Sequence, residues 1–297
     1  MGIDRKDWLR KKLAYWHESL VPPFLYPYAL KSWYKKCTGR ELDLKNPKTY
    51  CDKINWIKLY GVSPEMTRLS DKLLVRDFVK EKIGEEYLIP LLGFWDRFDE
   101  IDFDKLPEKF ALKTNHGSAT NIIVDDKDKL DMEDARDKFN FWMSINFAFQ
   151  FGYQLQYRDI KRKILAEEFI DNGGNDLFDY KIHCFDGKPE YIQYIGSRRG
   201  DTREIYLDTE WNPVDFFDAV FPRYEKIPPK PECLEKLVEL AAVLSEGWNY
   251  VRVDFYVLDN GDIKFGEMTF TPGSGQYKWN PPEADLFMGE KIKLPLN

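Results

Sequence analysis

Two acidic residues, Asp254 and Glu267, flank the tetrapeptide Asp259-Asn260-Gly261-Asp262, and the runs on either side of it are rich in Val, Ile, Phe and Tyr. This pattern predicts a β-hairpin over residues 250–270, because Asn-Gly supplies the positive φ angles of a tight type I′ turn. With Asn260 and Gly261 as the loop, Asp259 faces Asp262, Asp254 faces Glu267 and Arg252 faces Thr269. Val251, Val253, Phe255 and Val257 then share an apolar face, while Arg252, Asp254, Glu267 and Thr269 share the other. Opposed side chains on one sheet face lie roughly 5 Å apart at Cβ, so two carboxylates there repel unless a cation relieves them. A hard divalent ion such as Mg²⁺ takes one or two carboxylates together with substrate phosphates, and Arg252 beside them suits an anion. The alternative is a solvated face with the acids pointing apart.

A second set of candidates lies earlier in the chain. Ser70-Asp71 reads as a helix N-cap, followed by the apolar stripe Leu74, Val75, Phe78, Val79 and Ile83 and a stop at Gly84. Lys72 falls in that helix's first turn, where the dipole favours anions, so a bound phosphate suits it as well as open solvent does. Residues 110–113 and 121–124 read as strands joined by small polar residues that include His116, Gly117 and Ser118. Backbone N–H groups of such a loop can approach a phosphate, with the Lys113 charge at its rim. The GxxxxGK[ST] pattern is absent and no helix follows, so this is not a P-loop.

These residues need a scaffold. Residues 164–170, 178–185 and 189–195 predict further strands of a mainly antiparallel sheet, with Glu167 and Glu168 between two of them and Asp179 and Lys181 on the next. Arg198, Arg199, Arg203, Asp208 and Trp211 come from a loop and short strand suited to a carboxylate or phosphate, and Arg203 is the favoured member. Leu234, Leu237, Val238, Ala241 and Leu244 define a helix before the hairpin. Thr271-Pro272-Gly273-Ser274-Gly275 forms a second small-residue loop after it.

The chain has 297 residues, 43% hydrophobic and 32% charged, enough for one large or two to three small globular domains. A formal charge of −7 argues against a nucleic-acid partner. Cys37, Cys51, Cys184 and Cys233 show no metal spacing and read as reduced thiols. With no long apolar run and no signal-peptide pattern, a cytoplasmic location is expected. Residues 4–36 mix Trp8, Trp16 and Trp33 with many Lys and Arg; helices packed on the body are favoured over peripheral contact with an anionic membrane face.

The order of these parts resembles the ATP-grasp superfamily over about residues 65–280. The phrases NPKTY, DKLLVRDFVKEKIGEEYLIPLLG, KTNHGS, DYKIHCFDGKP and GEMTFTPGSG look like its TupA-like branch, associated with teichuronopeptide and capsular polysaccharide synthesis. The resemblance implies an α+β fold with ATP between two α+β subdomains. It divides the chain into an N-terminal helical segment (1–68), a small nucleotide-covering part (69–168) and a large metal and substrate part (169–297). It assigns Lys72, Lys113, Gly117 and Ser118 to the phosphates, Glu167, Glu168, Phe169 and Ile170 to the adenine and Asp179, with its neighbour Lys181, to the ribose region. Asp254 and Glu267 would hold Mg²⁺, with Thr269 standing where the superfamily usually has Asn. Arg252, His116 and Arg203 would serve the reacting groups. Ala119 and Thr120 replace residues that are often Gly, so a stiffer loop is expected.

The chemistry so implied is an ATP-dependent carboxylate–amine ligation through an acyl phosphate, with a uronic acid of a surface glycan as acceptor and an amino acid or small amine as donor. Phosphoryl transfer needs positioning and charge neutralisation more than a protein nucleophile, which fits lysines, an arginine and two acids. Competing readings are an ATP-grasp kinase acting on a sugar and a non-catalytic glycan-binding or scaffold protein. Tyr277, Trp211 and Trp279 are candidates for stacking on a sugar ring, with core packing the competing reading. A glycosyltransferase is weaker, for want of a DxD site.

Overall fold

Phe110, Leu112 and Thr114 alternate with Ala111 and Lys113, and this period of two gives a sheet one apolar face and one chemical face. The computed structural model describes residues 13, 15, 18–173, 177–196 and 202–295, and the chain divides into two units. The first draws on Met1–Lys36, Val62–Val75 and Ile89–Ile170. Its antiparallel sheet comprises β1 (Leu91–Trp95), β2 (Phe110–Thr114), β3 (Asn121–Val124) and β4 (Ile164–Glu168), in the order β1-β4-β2-β3. Phe110, Leu112, Val124, Ile164 and Ala166 form its core with Phe98, Ala135 and Phe139, the last two from the helix Met132–Ser144. Asp131 caps that helix by accepting from the N–H groups of Glu133 and Asp134. Within the helix Tyr26–Thr38, Tyr26, Leu30 and Tyr34 are buried, and the Tyr26 ring packs 4.7 Å from that of Tyr153. Trp8 and Trp16, like Arg198 and Arg199, lie outside the described residues.

The second unit draws on Cys37–Gly61, Arg76–Leu88 and Asp171–Asn297. Its main sheet, also antiparallel, comprises β5 (Phe178–Phe185), β6 (Lys188–Gly196), β7 (Arg203–Asp208), β9 (Tyr250–Val257) and β10 (Ile263–Thr269), ordered β10-β9-β5-β6-β7. A small pair, β8 (Phe217–Asp218) and β11 (Trp279–Asn280), accompanies it. Val251, Val253, Phe255, Ile182, Cys184, Ile192 and Leu207 are fully buried on one face, where the helix Leu234–Ser245 packs with Leu237, Leu240, Ala241 and Leu244.

The hairpin forms, but its tip differs from the expected turn. Gly261 has φ +87°, Asn260 is not left-handed, and the Leu258 N–H donates to the Asp262 carbonyl at 2.9 Å while the Leu258 carbonyl accepts from the Gly261 N–H at 2.8 Å. The loop is therefore Asp259-Asn260-Gly261, a three-residue connection with Gly in the left-handed position, rather than a two-residue type I′ turn. That alone would slip the register by one and put Glu267 opposite Val253, on the apolar face. A bulge at Gly266 restores it, so Phe265 pairs with Phe255 on one side of the bulge and Glu267 with Asp254 on the other. An added Cβ at Gly266 would lie 3.0 Å from the Asp254 carbonyl oxygen. Gly266→Val should cost about 1–3 kcal/mol through this crowding, read as a lowered urea midpoint with unchanged slope.

The helix expected between Ser70 and Gly84 forms, but begins later than its cap, after a turn, and a separate helix precedes it. Pro64–Ser70 ends at Asp71 and a second helix, Val75–Lys82, follows after one turn. Asp71 still caps that turn, its Oδ1 accepting from the N–H groups of Leu73 and Leu74, and Gly84 follows the second helix at φ +119°.

Candidate functional site

In the first unit, β2 and β4 are registered so that Ala111 faces Glu167, placing Lys113 and Glu167 diagonally on the sheet face away from the Phe110 core. The Lys113 Nζ donates to Glu167 Oε2 at 2.6 Å, and both side chains are largely shielded. Glu167 thus presents its side chain to a lysine, whereas the Glu168 N–H is taken by the Pro90 carbonyl at 3.0 Å. Phe169 sits under the Lys109 ammonium, 5.5 Å from the ring centre, and Ile170 is the last residue of the unit's final segment. Lys72 donates to the Gly117 carbonyl, so the loop and this lysine are joined directly, and Ser118 is exposed beside it. Ala119 takes φ +56°, a conformation suited to glycine, so an alanine there costs roughly 1–2 kcal/mol.

Asn115 organises this region, and sequence reasoning missed it. Fully buried, it accepts from Lys163 N–H at 2.7 Å through Oδ1 and donates through Nδ2 to Asp71 Oδ2 at 2.9 Å and to the Lys161 carbonyl at 3.0 Å. Its backbone N–H reaches the Lys163 carbonyl and its own carbonyl receives the Lys72 N–H. One residue, through its side chain and its backbone together, therefore ties Asp71-Lys72, the loop start and the segment entering β4 to one another. An Asn closing a strand was the available signal, since its amide can replace backbone partners.

His116 is placed differently from the expectation. The ring is buried, with Nε2 3.2 Å from the Trp142 carbonyl and Nδ1 3.3 Å from Asn115 Oδ1; a neutral ring donates to one of these two oxygens, and that bond with the burial anchors the loop. Burial pushes its imidazole down to about 4, and Arg162 and Lys72 push the same way. The folded state thus favours the neutral ring. Its contribution is complete above the unfolded value near 6.5 and is lost as pH falls through the window down to about 4. Buried His183 is lowered too, and burial raises Glu204 to about 8, a group that acts in the opposite sense. The His116 share is therefore read from a variant: between pH 7.5 and 5, His116→Gln should lose less unfolding free energy than the wild type, by on the order of 1–3 kcal/mol.

In the second unit, the strand registers align Glu267, Asp254, Lys181, Gln193 and Tyr206 in one row and Thr269, Arg252, His183, Tyr191 and Asp208 in the next. Arg252 forks onto Asp254, Nε to Oδ1 and Nη2 to Oδ2, each at 2.7 Å, and Lys181 reaches Oδ2 at 2.6 Å. Burial alone would lower the Arg252 guanidinium, but Asp254 more than offsets this and holds it charged. Glu267 Oε1 accepts from Thr269 Oγ1 at 3.0 Å and lies 3.6 Å from Arg252 Nη2. The repulsion expected between the two acids is thus met by protein cations. Asp179 lies on this face, its Oδ1 3.6 Å from Lys181.

Two expectations fail here. Arg203 falls on the opposite sheet face from Arg252, because Glu204 and Tyr206 occupy the polar positions of β7; its Nη1 points to the Arg223 carbonyl at 3.4 Å. Trp211, Tyr277 and Trp279 are buried among other rings, with Tyr277 and Trp279 stacked at 4.9 Å, so they are core rather than sugar platforms. Lys58, which nothing in its sequence context marks, is fully buried and donates to Asn55 Oδ1 and to the Ser274 carbonyl and Oγ, all at 3.0 Å. It thereby holds the left-handed turn at Gly273, Ser274 and Gly275.

Among the described residues no three His, Cys, Asp or Glu gather for a metal. Asp254 and Glu267 nonetheless provide the hard oxygen donors that Mg²⁺ takes in ones and twos beside phosphates, and the Glu267 side chain is 31% exposed. The residues fit such an ion. None of the described helices is long and apolar enough to cross a membrane.

The fold these two sheets belong to is the ATP-grasp class. Within it, the chain belongs to the TupA-like ATP-grasp family, whose model matches residues 52–293. Similar solved structures include an L-amino acid ligase from Bacillus licheniformis (17% identity, TM-score 0.46, covering 76% of this chain and 49% of that one). They also include a D-alanine–D-alanine ligase from Bacillus anthracis with ATP (18%, 0.42, 81% and 70%) and an N5-carboxyaminoimidazole synthetase from Staphylococcus aureus with ADP (11%, 0.38, 70% and 46%). The chain thus spans about half the length of several solved proteins it matches. No curated protein matches it.

Proposed function

We propose that this protein is an ATP-dependent carboxylate–amine ligase that works through an acyl phosphate, amidating a uronic acid of a surface polysaccharide in the cytoplasm. The observation that carries the reading is the Arg252–Asp254–Glu267–Lys181 set on one face of an antiparallel sheet, in a chain of the ATP-grasp family. Lys72 and Lys113 bind phosphate oxygens of ATP, exchanging their present carbonyl and carboxylate partners for them. Asp254 and Glu267 hold Mg²⁺, which when bound offsets charge on the phosphates. The substrate carboxylate attacks the γ-phosphorus and ADP leaves; an amine then displaces phosphate from the acyl carbon. Arg252, kept charged and rigid by its fork to Asp254, neutralises the transferring phosphoryl group and then the tetrahedral oxyanion. Asp179 and the 167–170 segment serve the nucleoside. Thr269 orients Glu267 through its hydroxyl.

The test is incubation with Mg-ATP and glucuronate or galacturonate, with and without a panel of amino acids and small amines, followed by mass spectrometry. ADP and an amide formed only when both partners are present is the expected result. A stable phosphorylated sugar without an amine would establish the kinase reading instead. Sugar binding with no ATP-dependent product would leave a glycan-binding protein.

A further inference from the structure

Away from these residues, the first unit has an open cleft of about 500 Å³, within the usual size of a small-ligand site. Phe98, Met143 and Ile160 contribute apolar lining, and Asp96, Arg97, Lys161 and Arg162 contribute charge. Two of these charges are already matched: Asp96 pairs with Lys163 at 2.7 Å, and Arg97 with Glu100 at 2.9 Å. Lys161 and Arg162 have no carboxylate partner among the described residues; Arg162 spends Nη1 on the Ile145 carbonyl at 3.1 Å. Asp96 feels the Lys161 charge as well as that of Lys163, yet the lining still sets Arg97, Lys161 and Arg162 against this one carboxylate, and a local positive excess in a chain of net charge −7 suits an anion.

We propose that the cleft binds the carboxylate or phosphate of a sugar-sized ligand, and that its occupancy is transmitted to the loop starting at Asn115. The connection is short. The Lys161 carbonyl and the Lys163 N–H and carbonyl are all bonded to Asn115, at 3.0, 2.7 and 3.1 Å. Arg162 and His116 both hang on the C-terminal end of the helix Met132–Ser144, at Ile145 and Trp142 respectively. An anion that draws Lys161 and Arg162 together holds the same backbone that holds the loop, so loop opening becomes less frequent.

The experiment uses the whole chain without nucleotide. Glucuronate and inorganic phosphate are titrated separately at constant ionic strength by calorimetry, and hydrogen exchange of residues 114–120 is followed in parallel. Binding of either anion with about fivefold or greater slowing of exchange in that loop is expected; the one that binds more tightly identifies the source of the charge. Lys161→Glu, an exposed position without a close ion pair, should weaken binding about tenfold and abolish the slowing, while the chain still unfolds cooperatively. Arg162→Gln should do the same more weakly. No binding of either anion, equal binding by Lys161→Glu, or binding that leaves loop exchange unchanged would each overturn the proposal. Because no ATP is present, failure of the ligase reading would leave this result standing, and the reverse.

Discussion

Asp254→Asn should lower unfolding free energy by about 3–5 kcal/mol and abolish nucleotide turnover, whereas Glu267→Gln should abolish turnover at a cost below about 1 kcal/mol. Asp254 is 3% exposed and is the carboxylate shared by Arg252 and Lys181, so its amide leaves two cations close together in a place that water does not reach. Removing one partner of a buried pair costs more than the pair contributes, because the remaining charge stays desolvated. Glu267 is different: its side chain is 31% exposed, and the Thr269 hydroxyl can donate to an amide oxygen as readily as to a carboxylate. Urea unfolding of both variants, beside ATP titration in Mg²⁺, separates the two roles. Near-equal stability of the two would mean that the Arg252–Asp254–Lys181 cluster does not hold the sheet face together, and that Asp254 serves the ligand alone.

The second large effect belongs to Asn115. Asn115→Ala removes three side-chain hydrogen bonds and strands the Lys163 N–H, the Lys161 carbonyl and Asp71 Oδ2, at roughly 1–3 kcal/mol for each buried group left unmet. Partial relaxation keeps the sum at about 3–5 kcal/mol. ATP affinity should fall as well, by about tenfold or more, since Lys72 and the loop are positioned through this residue. Asn115→Asp discriminates packing from bonding: it retains Oδ1 for Lys163 but sets a carboxylate against Asp71, whose own carboxyl burial already pushes up. It should therefore be at least as destabilising as alanine at pH 8 and recover part of the loss near pH 5, when one of the two acids takes a proton. Thermal unfolding at both pH values checks this.

How legible the molecule was depends on the range of the interaction concerned. The small-residue loop between β2 and β3, the cap at Asp71 and the hairpin itself are local, and local spacing declares them. The pairing of Asp254 with Glu267 was read correctly for an incomplete reason. The tip is a three-residue loop, and the Gly266 bulge makes up the difference, a compensation that depends on how β9 and β10 each pack. The sheet face given to Arg203 was set by the alternation of β7, which pairs with β6 in a register that no turn residue dictates.

By itself, then, the order of residues determined the main strands, the hairpin and the charged candidates Lys72, Lys113, Arg252, Asp254 and Glu267, because side-chain type and strand period are properties of short segments, while the α+β ATP-grasp fold was implied by the resemblance of its motifs to that superfamily. Tertiary structure alone decided that His116 is a buried neutral anchor, that Asn115 and Lys58 hold the two small-residue loops, and that Arg252 with Lys181 neutralises Asp254. Burial and partnership arise between residues tens to hundreds of positions apart, and the charge state of a side chain follows from what surrounds it rather than from what precedes it.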